Sequence, residues 1–196
     1  MRLSSKPPKR ARAWPLIAML LVAGLALPMP RAVAADSGSA LEYKVKAGYL
    51  YNFARFVEWP ASAFPSPSSP FIIGVIDGGE ALPVLEKLFA GKEVAGHPVQ
   101  VKAIPASTPM NDAHILLVTR AGGKTPEEIR TALGSAPTLL VGETDQFAER
   151  GGSIAFVHED DSVRLTLCLE HAADSGLKIS AKLSSVAKSV KATLRK

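Results

Sequence analysis

Apolar residues recur along this chain at two spacings, which alternate from segment to segment. Spacings of three and four residues predict three helices, at residues 41–58, 80–92 and 125–134. Short apolar or alternating runs predict four strands, at residues 71–76, 97–104, 113–119 and 137–143. The third helix is also signalled at both ends, by Thr125 as N-cap, Pro126 after it and Gly134 beyond its last turn. Strands that alternate with helices in this way predict an α/β fold with a mainly parallel central sheet flanked by helices.

The pattern changes in the last quarter of the chain. Two alternating apolar runs surround the polar segment 158–162, HEDDS, and predict an antiparallel hairpin. Beyond it, apolar residues at helical spacing predict a terminal helix with the stripe Ile179, Leu183, Val186, Val190 and Leu194. Residues 36–196 are long enough for one ordinary domain with its own core, and we expect a single domain over this range.

Residues 1–35 differ from the rest of the chain in charge and in hydropathy. Five Lys and Arg residues lie in the first twelve positions, and the uncharged apolar run 14–27 follows them. This run is shorter than the roughly 20 residues that span a bilayer, and small residues at Ala34 and Ala35 suit a signal peptidase. We therefore expect residues 1–35 to be a cleaved secretory signal peptide. A short membrane anchor is the alternative.

Removal of this segment changes the charge of the protein. Six of the 23 Lys and Arg residues lie in residues 1–35, so residues 36–196 hold 17 basic residues against 18 Asp and Glu residues. The resulting net charge of −1 provides no basic surface of the kind that binds phosphate backbones. We therefore expect no nucleic-acid partner.

Residue patterns that carry chemistry are almost absent. The four histidines lack the spacings of metal sites, and the chain has neither a nucleophile elbow nor a phosphate-binding glycine loop. The single cysteine, Cys168, lies in an alternating run and is expected to fill the core, with a reactive thiol as the less favoured alternative. We expect no catalytic residues, no metal and no cofactor, so the protein is predicted not to be an enzyme.

Two glycine-containing segments are candidates for ligand binding. Asp77 follows the first predicted strand and precedes two glycines, at the carboxyl edge where open α/β sheets bind ligands. Arg150 stands beside Gly151 and Gly152 ahead of the hairpin, where one or both glycines are expected to adopt a positive φ. An ordinary structural turn is the favoured alternative in both places.

Three segments occur in an order that resembles a known family. They are KAGYLYNFARFVEWP at residues 46–60, LLVGETDQFAERGGSIAFV at residues 139–157 and VRLTLCLEHAADSGLKISAKLSSVAKSV at residues 163–190. Together they resemble the YfiR family of exported regulatory proteins, and the similarity covers essentially all of residues 41–190. Ala181 departs from the serine that many members carry at this position.

The resemblance implies a periplasmic α/β domain that forms a homodimer. In characterised relatives, the protein binds the periplasmic sensor region of an inner-membrane diguanylate cyclase and inhibits it, which lowers cyclic di-GMP. An outer-membrane lipoprotein draws the inhibitor away and thereby favours biofilm, while other members accompany sensor kinases. The best-known members carry paired cysteines, but here only Cys168 is present, so disulfide control is not expected.

The aromatic segment 49–60 is the first candidate for a partner-binding surface. We expect Phe53 and Phe56 to pack inside, since they belong to a broad apolar stripe. Tyr51, Arg55 and Trp59 are residue types that interfaces favour, and we expect them to lie closer to the surface.

The segment 176–183 is the second candidate, with Leu177, Ile179 and Leu183 as its apolar residues. Leu177 falls outside the predicted helical stripe, so it is expected to be exposed. On that expectation, Leu177→Asp spares folding and abolishes partner binding.

Three functions are consistent with these observations. A regulatory partner of a membrane signalling protein is favoured. A periplasmic small-molecule-binding protein is the alternative, with the ligand near Asp77 or near Arg150. A hydrolase is disfavoured because the nucleophile motif is missing.

Overall fold

The computed structural model describes residues 36–107, 109–160, 162–187 and 189–191. The helices in this part of the chain are α1 (Asp36–Phe56), α2 (Ala81–Phe89), α3 (Pro126–Leu133), α4 (Leu169–Asp174) and α5 (Ala181–Ser185). The strands are β1 (Val57–Glu58), β2 (Phe71–Ile76), β3 (Glu93–Val94), β4 (His97–Ile104), β5 (Ile115–Val118), β6 (Leu139–Gly142), β7 (Ile154–Glu159), β8 (Ser162–Cys168), β9 (Lys178–Ile179) and β10 (Ser189–Lys191). The described residues belong to one compact unit, Ala34–Lys196. The predicted signal peptide lies outside them.

Eight of these strands form one sheet in the order β10-β8-β7-β6-β5-β2-β4-β3. The five strands from β7 to β4 run parallel to their neighbours within that group. β8 is antiparallel to β7, and β3 is antiparallel to β4 at the other edge. The prediction of a mixed α/β fold with a mainly parallel sheet is therefore confirmed.

Alternate residues of the central strands face opposite sides of the sheet, and each side carries its own apolar cluster. The first cluster holds Ile73 and Leu117 and is covered by α1 and α2, which contribute Phe53 and Leu85. The second cluster holds Leu116 and is covered by α3. Helices on both faces explain why β5 and β6 are apolar at every position.

The expected caps of α3 are present in detail. The Thr125 side chain accepts a hydrogen bond from the Glu128 amide, and the Glu128 carboxylate accepts one from the Thr125 amide at 2.8 Å. Pro126 occupies the first turn, and Gly134 follows the helix with φ +57°. This capping box fixes the start of the helix.

The predicted terminal helix is wrong. Its described residues form β9, the five-residue helix α5 and β10 instead, and Val186 is 62% exposed rather than part of an apolar stripe. Leu194, the last residue of the predicted stripe, lies outside the described residues. β9 pairs with β1 and β10 pairs with β8. Long-range backbone hydrogen bonds outweigh helical spacing here, because the segments are too short for local preference to decide.

Among the residues that the structure describes, no helix has the length and apolar character needed to cross a bilayer.

Candidate functional site

Strands β1 and β9 bring the two candidate partner segments side by side. Val57 lies opposite Ile179 and Glu58 opposite Lys178 in an antiparallel pair. The Ser180 amide also donates a 3.0 Å hydrogen bond to the Phe56 carbonyl at the end of α1. We call the surface of residues 51–60 and 176–183 the clasp. Two segments from distant parts of the sequence therefore form one continuous surface.

The clasp exposes a charged rim around partly buried apolar side chains. Arg55, Glu58 and Lys178 are exposed, while Trp59 and Ile179 are half-buried. Tyr51 is also half-buried, with its ring 6.3 Å from the ring of Phe89. A polar rim around an aromatic and aliphatic centre is the usual composition of a protein interface.

Leu177 and Leu183 belong to the core, so the expectation that Leu177 is exposed is wrong. Their exposed fractions are 2% and 1%. The reason lies at the end of α4, where the Leu177 amide donates to Ala172 and the Gly176 amide donates to Ala173. With Gly176 at φ +71°, these bonds form a Schellman motif, which directs the residue after the glycine back onto the helix. Leu177 and Ala172 accordingly share one apolar cluster.

A stack of aromatic rings lies behind the clasp. The edge of Trp59 meets Phe71 and His114, with ring centroids 5.2 and 5.8 Å apart. Phe64 stacks on His114 at 4.6 Å on one side and on His97 at 4.0 Å on the other. We call these five rings the aromatic stack. Sequence analysis missed it because its members come from separate loops and strands without a common spacing.

His114 is held in this stack in its neutral form. Its side chain is almost fully enclosed, at 5% exposure, and its Nδ1 accepts a 3.0 Å hydrogen bond from the Ile72 amide. Burial lowers the pKa of His114, and the nearby His97 lowers it further, although the Ala63 carbonyl acts in the opposite direction. The ring is therefore uncharged near neutral pH.

A buried ion pair fastens α1 to the carboxyl edge of the sheet. Lys46 Nζ lies 2.8 Å from Glu143 Oε1, and the two side chains are 1% and 3% exposed. Glu143 directly follows β6 and also accepts a hydrogen bond from the Arg120 amide at 3.1 Å. Glu42, one helical turn before Lys46, forms a second ion pair with the same ammonium group.

The charges of Lys46 and Glu143 shift the pKa values of neighbouring side chains. The pKa of Tyr43 is raised, first by burial and then by the negative charge of Glu143 beside its hydroxyl. Burial alone would raise the pKa of Glu42, but Lys46 and His158 outweigh it and leave the pKa below its usual range. Sequence analysis missed the ion pair; the one available signal is a lysine, four residues after a glutamate, within a broad apolar stripe.

The two candidate ligand segments lie at opposite ends of the parallel strands. Asp77 follows the carboxyl end of β2, whereas Gly151 and Gly152 precede the amino end of β7, and the strands from β2 to β7 run in one direction. Asp77 is exposed and accepts a hydrogen bond from the Ala106 amide at 3.1 Å. Arg150 is exposed and pairs with Glu127 at 2.8 Å. These residues therefore do not form one site.

A scan against protein-family models finds one described as YfiR/HmsC-like that matches residues 43–188, more than half of the chain. The chain belongs to the YfiR/HmsC-like family. This agrees with the resemblance seen in the sequence. A search of curated proteins finds no match.

Among solved structures, this YfiR/HmsC-like chain is similar to a conserved domain protein from Vibrio cholerae O1 biovar eltor str. N16961. The two share 15% sequence identity at a TM-score of 0.44, over 61% of this chain and 54% of the other. The chain thus spans about half the length of that protein.

In this YfiR/HmsC-like chain, the two glycines beside Arg150 have structural reasons to be glycine. Gly151 adopts φ +114°, a conformation that side chains with a Cβ disfavour. A Cβ at Gly152 would overlap the ring of Phe147, which packs against the backbone there. A ligand role for Arg150, Gly151 and Gly152 stays a prediction.

We expect Gly152→Ala to lower the free energy of unfolding by about 1–3 kcal/mol, as overpacked substitutions do. Gly48→Ala is the matched control, because a Cβ there meets nothing within 4 Å and the position lies inside α1. The control should be neutral or raise stability by up to about 1 kcal/mol. Urea denaturation followed by circular dichroism measures both. Equal stabilities of the two variants would show that Phe147 does not restrict residue 152.

Within the described residues, no group of three or more His, Cys, Asp or Glu side chains could hold a metal ion. Cys168 is free and buried.

Proposed function

We propose that this protein is a non-enzymatic periplasmic regulator that binds the periplasmic sensor region of an inner-membrane signalling protein. The favoured partner is a diguanylate cyclase, which the protein would inhibit and so lower cyclic di-GMP; a sensor kinase is the second possible partner. The observation that carries the proposal is the clasp, where two family segments meet in one surface with a charged rim and an aromatic centre.

Inhibition of this kind requires no catalytic group. A protein that binds the inactive state of a sensor more tightly than the active state shifts the population toward the inactive state. A shift from 1:99 to 99:1 requires about 5.5 kcal/mol of differential affinity. Interfaces draw such energies from a few buried aromatic and arginine anchors, and the clasp offers Trp59 and Arg55 as residues of that type.

The family resemblance adds an oligomeric state and a second partner to this proposal. It favours a homodimer in the periplasm and an outer-membrane lipoprotein that competes for the regulator. A bound regulator would be released by that lipoprotein, and the cyclase would then become active.

The test begins with the mature protein as bait for solubilised inner membranes, with mass spectrometry of the bound proteins. We expect a cyclase or sensor kinase with a periplasmic domain to be captured, and Arg55→Glu to weaken its binding at least tenfold. Lys87→Glu is the matched control, since Lys87 is exposed on α2 and is not part of the clasp, and it should bind normally. Deletion of the gene should raise cellular cyclic di-GMP.

Two results would contradict this proposal. Capture of no membrane signalling protein by folded bait would exclude the regulatory function, and equal binding of both variants would exclude the clasp as the docking surface. A fall in cyclic di-GMP on deletion would reverse the sign of the proposed output.

The alternative function is a periplasmic small-molecule-binding protein. The observation that favours it is a cavity of about 430 Å³ beside the aromatic stack, which neither Asp77 nor Arg150 lines.

A further inference from the structure

The cavity beside the aromatic stack has unusually rigid walls. Five prolines from three separate connections line it: Pro65, Pro70, Pro105, Pro109 and Pro137. Ile72 and Ile104 add apolar surface from β2 and β4, and the ring of His114 forms part of the wall. Because each proline fixes its own φ, these walls are largely preformed, which is typical of small-molecule sites.

One buried donor at this cavity lacks a partner. Since His114 Nδ1 accepts from the Ile72 amide, the proton of the neutral ring resides on Nε2. Among the described residues, no acceptor meets hydrogen-bond geometry at Nε2, although that atom is shielded from solvent. The Ala63 carbonyl lies close enough to the ring to raise the pKa of His114 as an acceptor does, but its geometry at Nε2 falls short of a hydrogen bond. A buried donor without a partner lowers the stability of the protein, and an added acceptor would recover that loss.

The turn that shields Nε2 makes local backbone hydrogen bonds, while the Phe64 ring that follows it is anchored in the aromatic stack. Ala63 donates to Pro60 and Phe64 donates to Ala61, at 2.9 and 3.2 Å, within the short 3₁₀ turn Ala61–Ala63. Farther along, Ser66 bonds Ser69. Because these backbone bonds stay within the connection, the three residues Ala61–Ala63 can shift at low free-energy cost while Phe64 keeps its place in the aromatic stack and Ser69 its bond to His97.

We propose that this cavity binds a small planar molecule that carries a hydrogen-bond acceptor, and that His114 Nε2 donates to that acceptor when the turn Ala61–Ala63 shifts. Phe64 and Phe71 already stack on the His114 ring, so the proline and isoleucine side chains provide the apolar walls that favour a flat ligand. The acceptor satisfies His114 Nε2, a buried side-chain donor without a hydrogen-bond partner among the described residues. Lys102 and Asp112 at the rim carry opposite charges, so the site has no strong preference for a charged ligand.

Occupancy of this site would reach the clasp through two short connections. The shifting turn directly follows Trp59 and Pro60 in the chain, and the Trp59 ring lies 5.8 Å from the His114 ring. The ligand is therefore an effector of the docking surface. This consequence, unlike the binding itself, rests on the proposed function.

The test uses residues 36–196 with benzamide as an uncharged planar acceptor. Trp59 is the only tryptophan in this range, so its fluorescence reports on the stack, and imidazole ¹⁵N NMR reports on His114 Nε2. We expect both signals to change saturably, with a Kd of millimolar or tighter. His114→Phe keeps a stacking ring but removes the donor, and should weaken binding at least tenfold.

Two further variants make the result decisive. Asn111→Phe places a large side chain at the mouth of the cavity, from an exposed position that the core does not depend on. It should weaken benzamide binding, and it tests the site even if His114→Phe does not fold. His158→Phe, in the hairpin, should leave binding unchanged. No saturable change up to 20 mM benzamide, or equal binding by all variants, would overturn the proposed site.

The isolated protein gives this answer without any partner, so failure of the site is distinguishable from failure of the regulatory function. If benzamide binds but leaves capture of the membrane partner unchanged, the effector role is overturned.

Discussion

Glu143→Gln is expected to lower the free energy of unfolding by about 3 kcal/mol, since removal of one partner of a buried ion pair leaves the other charge uncompensated. The single amide oxygen of the glutamine can replace Oε2 as acceptor for the Arg120 amide and the Tyr43 hydroxyl, so the loss reports on the contact with Lys46. The remaining ion pair with Glu42 keeps the expected loss at the lower end of the range for buried pairs. Urea denaturation followed by Trp59 fluorescence measures it.

Two controls separate the ion pair from a general effect of the substitution. Glu127→Gln removes a charge from an exposed ion pair with Arg150, and exposed pairs contribute little. Lys46→Met combined with Glu143→Gln removes the buried ammonium as well and should recover much of the lost stability. If Glu143→Gln costs no more than Glu127→Gln, the ion pair does not fasten α1 to the sheet.

Leu177→Asp is expected to lower the free energy of unfolding by more than about 4 kcal/mol. Truncation of a buried leucine already costs about 2–5 kcal/mol, and a carboxylate without a partner in the core adds a desolvation cost. Val186→Asp is the matched control, since Val186 is 62% exposed, and it should change stability little. Thermal and urea denaturation of both variants provide the comparison.

This result decides how partner binding can be tested. A Leu177→Asp protein that loses its partner because it unfolds says nothing about docking, so Arg55 is the better position for that purpose. If instead the variant is as stable as Val186→Asp and loses only its partner, Leu177 is exposed in solution and the packing described for it is wrong.

The sequence was sufficient to predict the elements whose local signals and burial agree. β2, β5 and β6 are continuous apolar runs, and α3 carries Thr125, Pro126 and Gly134 at its ends, so both periodicity and capping indicate the observed structure. The positions of Arg55 and Trp59 near the surface also followed from residue type. These features depend on neighbours in the sequence.

The elements that sequence analysis missed depend on distant residues. β9 and β10 are two and three residues long and exist through pairing with β1 and β8. The apolar spacing of residues 179–194 fits a helix equally well, so periodicity alone could not exclude one. The Schellman motif could have been recognised, because Gly176 follows a short helical run and precedes an apolar residue. The partners of Lys46 and His114 lie too far along the chain for any sequence pattern to indicate them.

The pairing of β1 with β9 also has a consequence for how the protein matures. Val57 and Ile179 come from near the two ends of the described chain, so their contact closes a very long loop, and the entropy of that closure must be offset by earlier contacts. The docking surface is therefore expected to be among the last parts of the protein to form. Chains that are truncated or only partly folded would lack it, so a protein with the proposed regulatory function could not dock before the domain is complete.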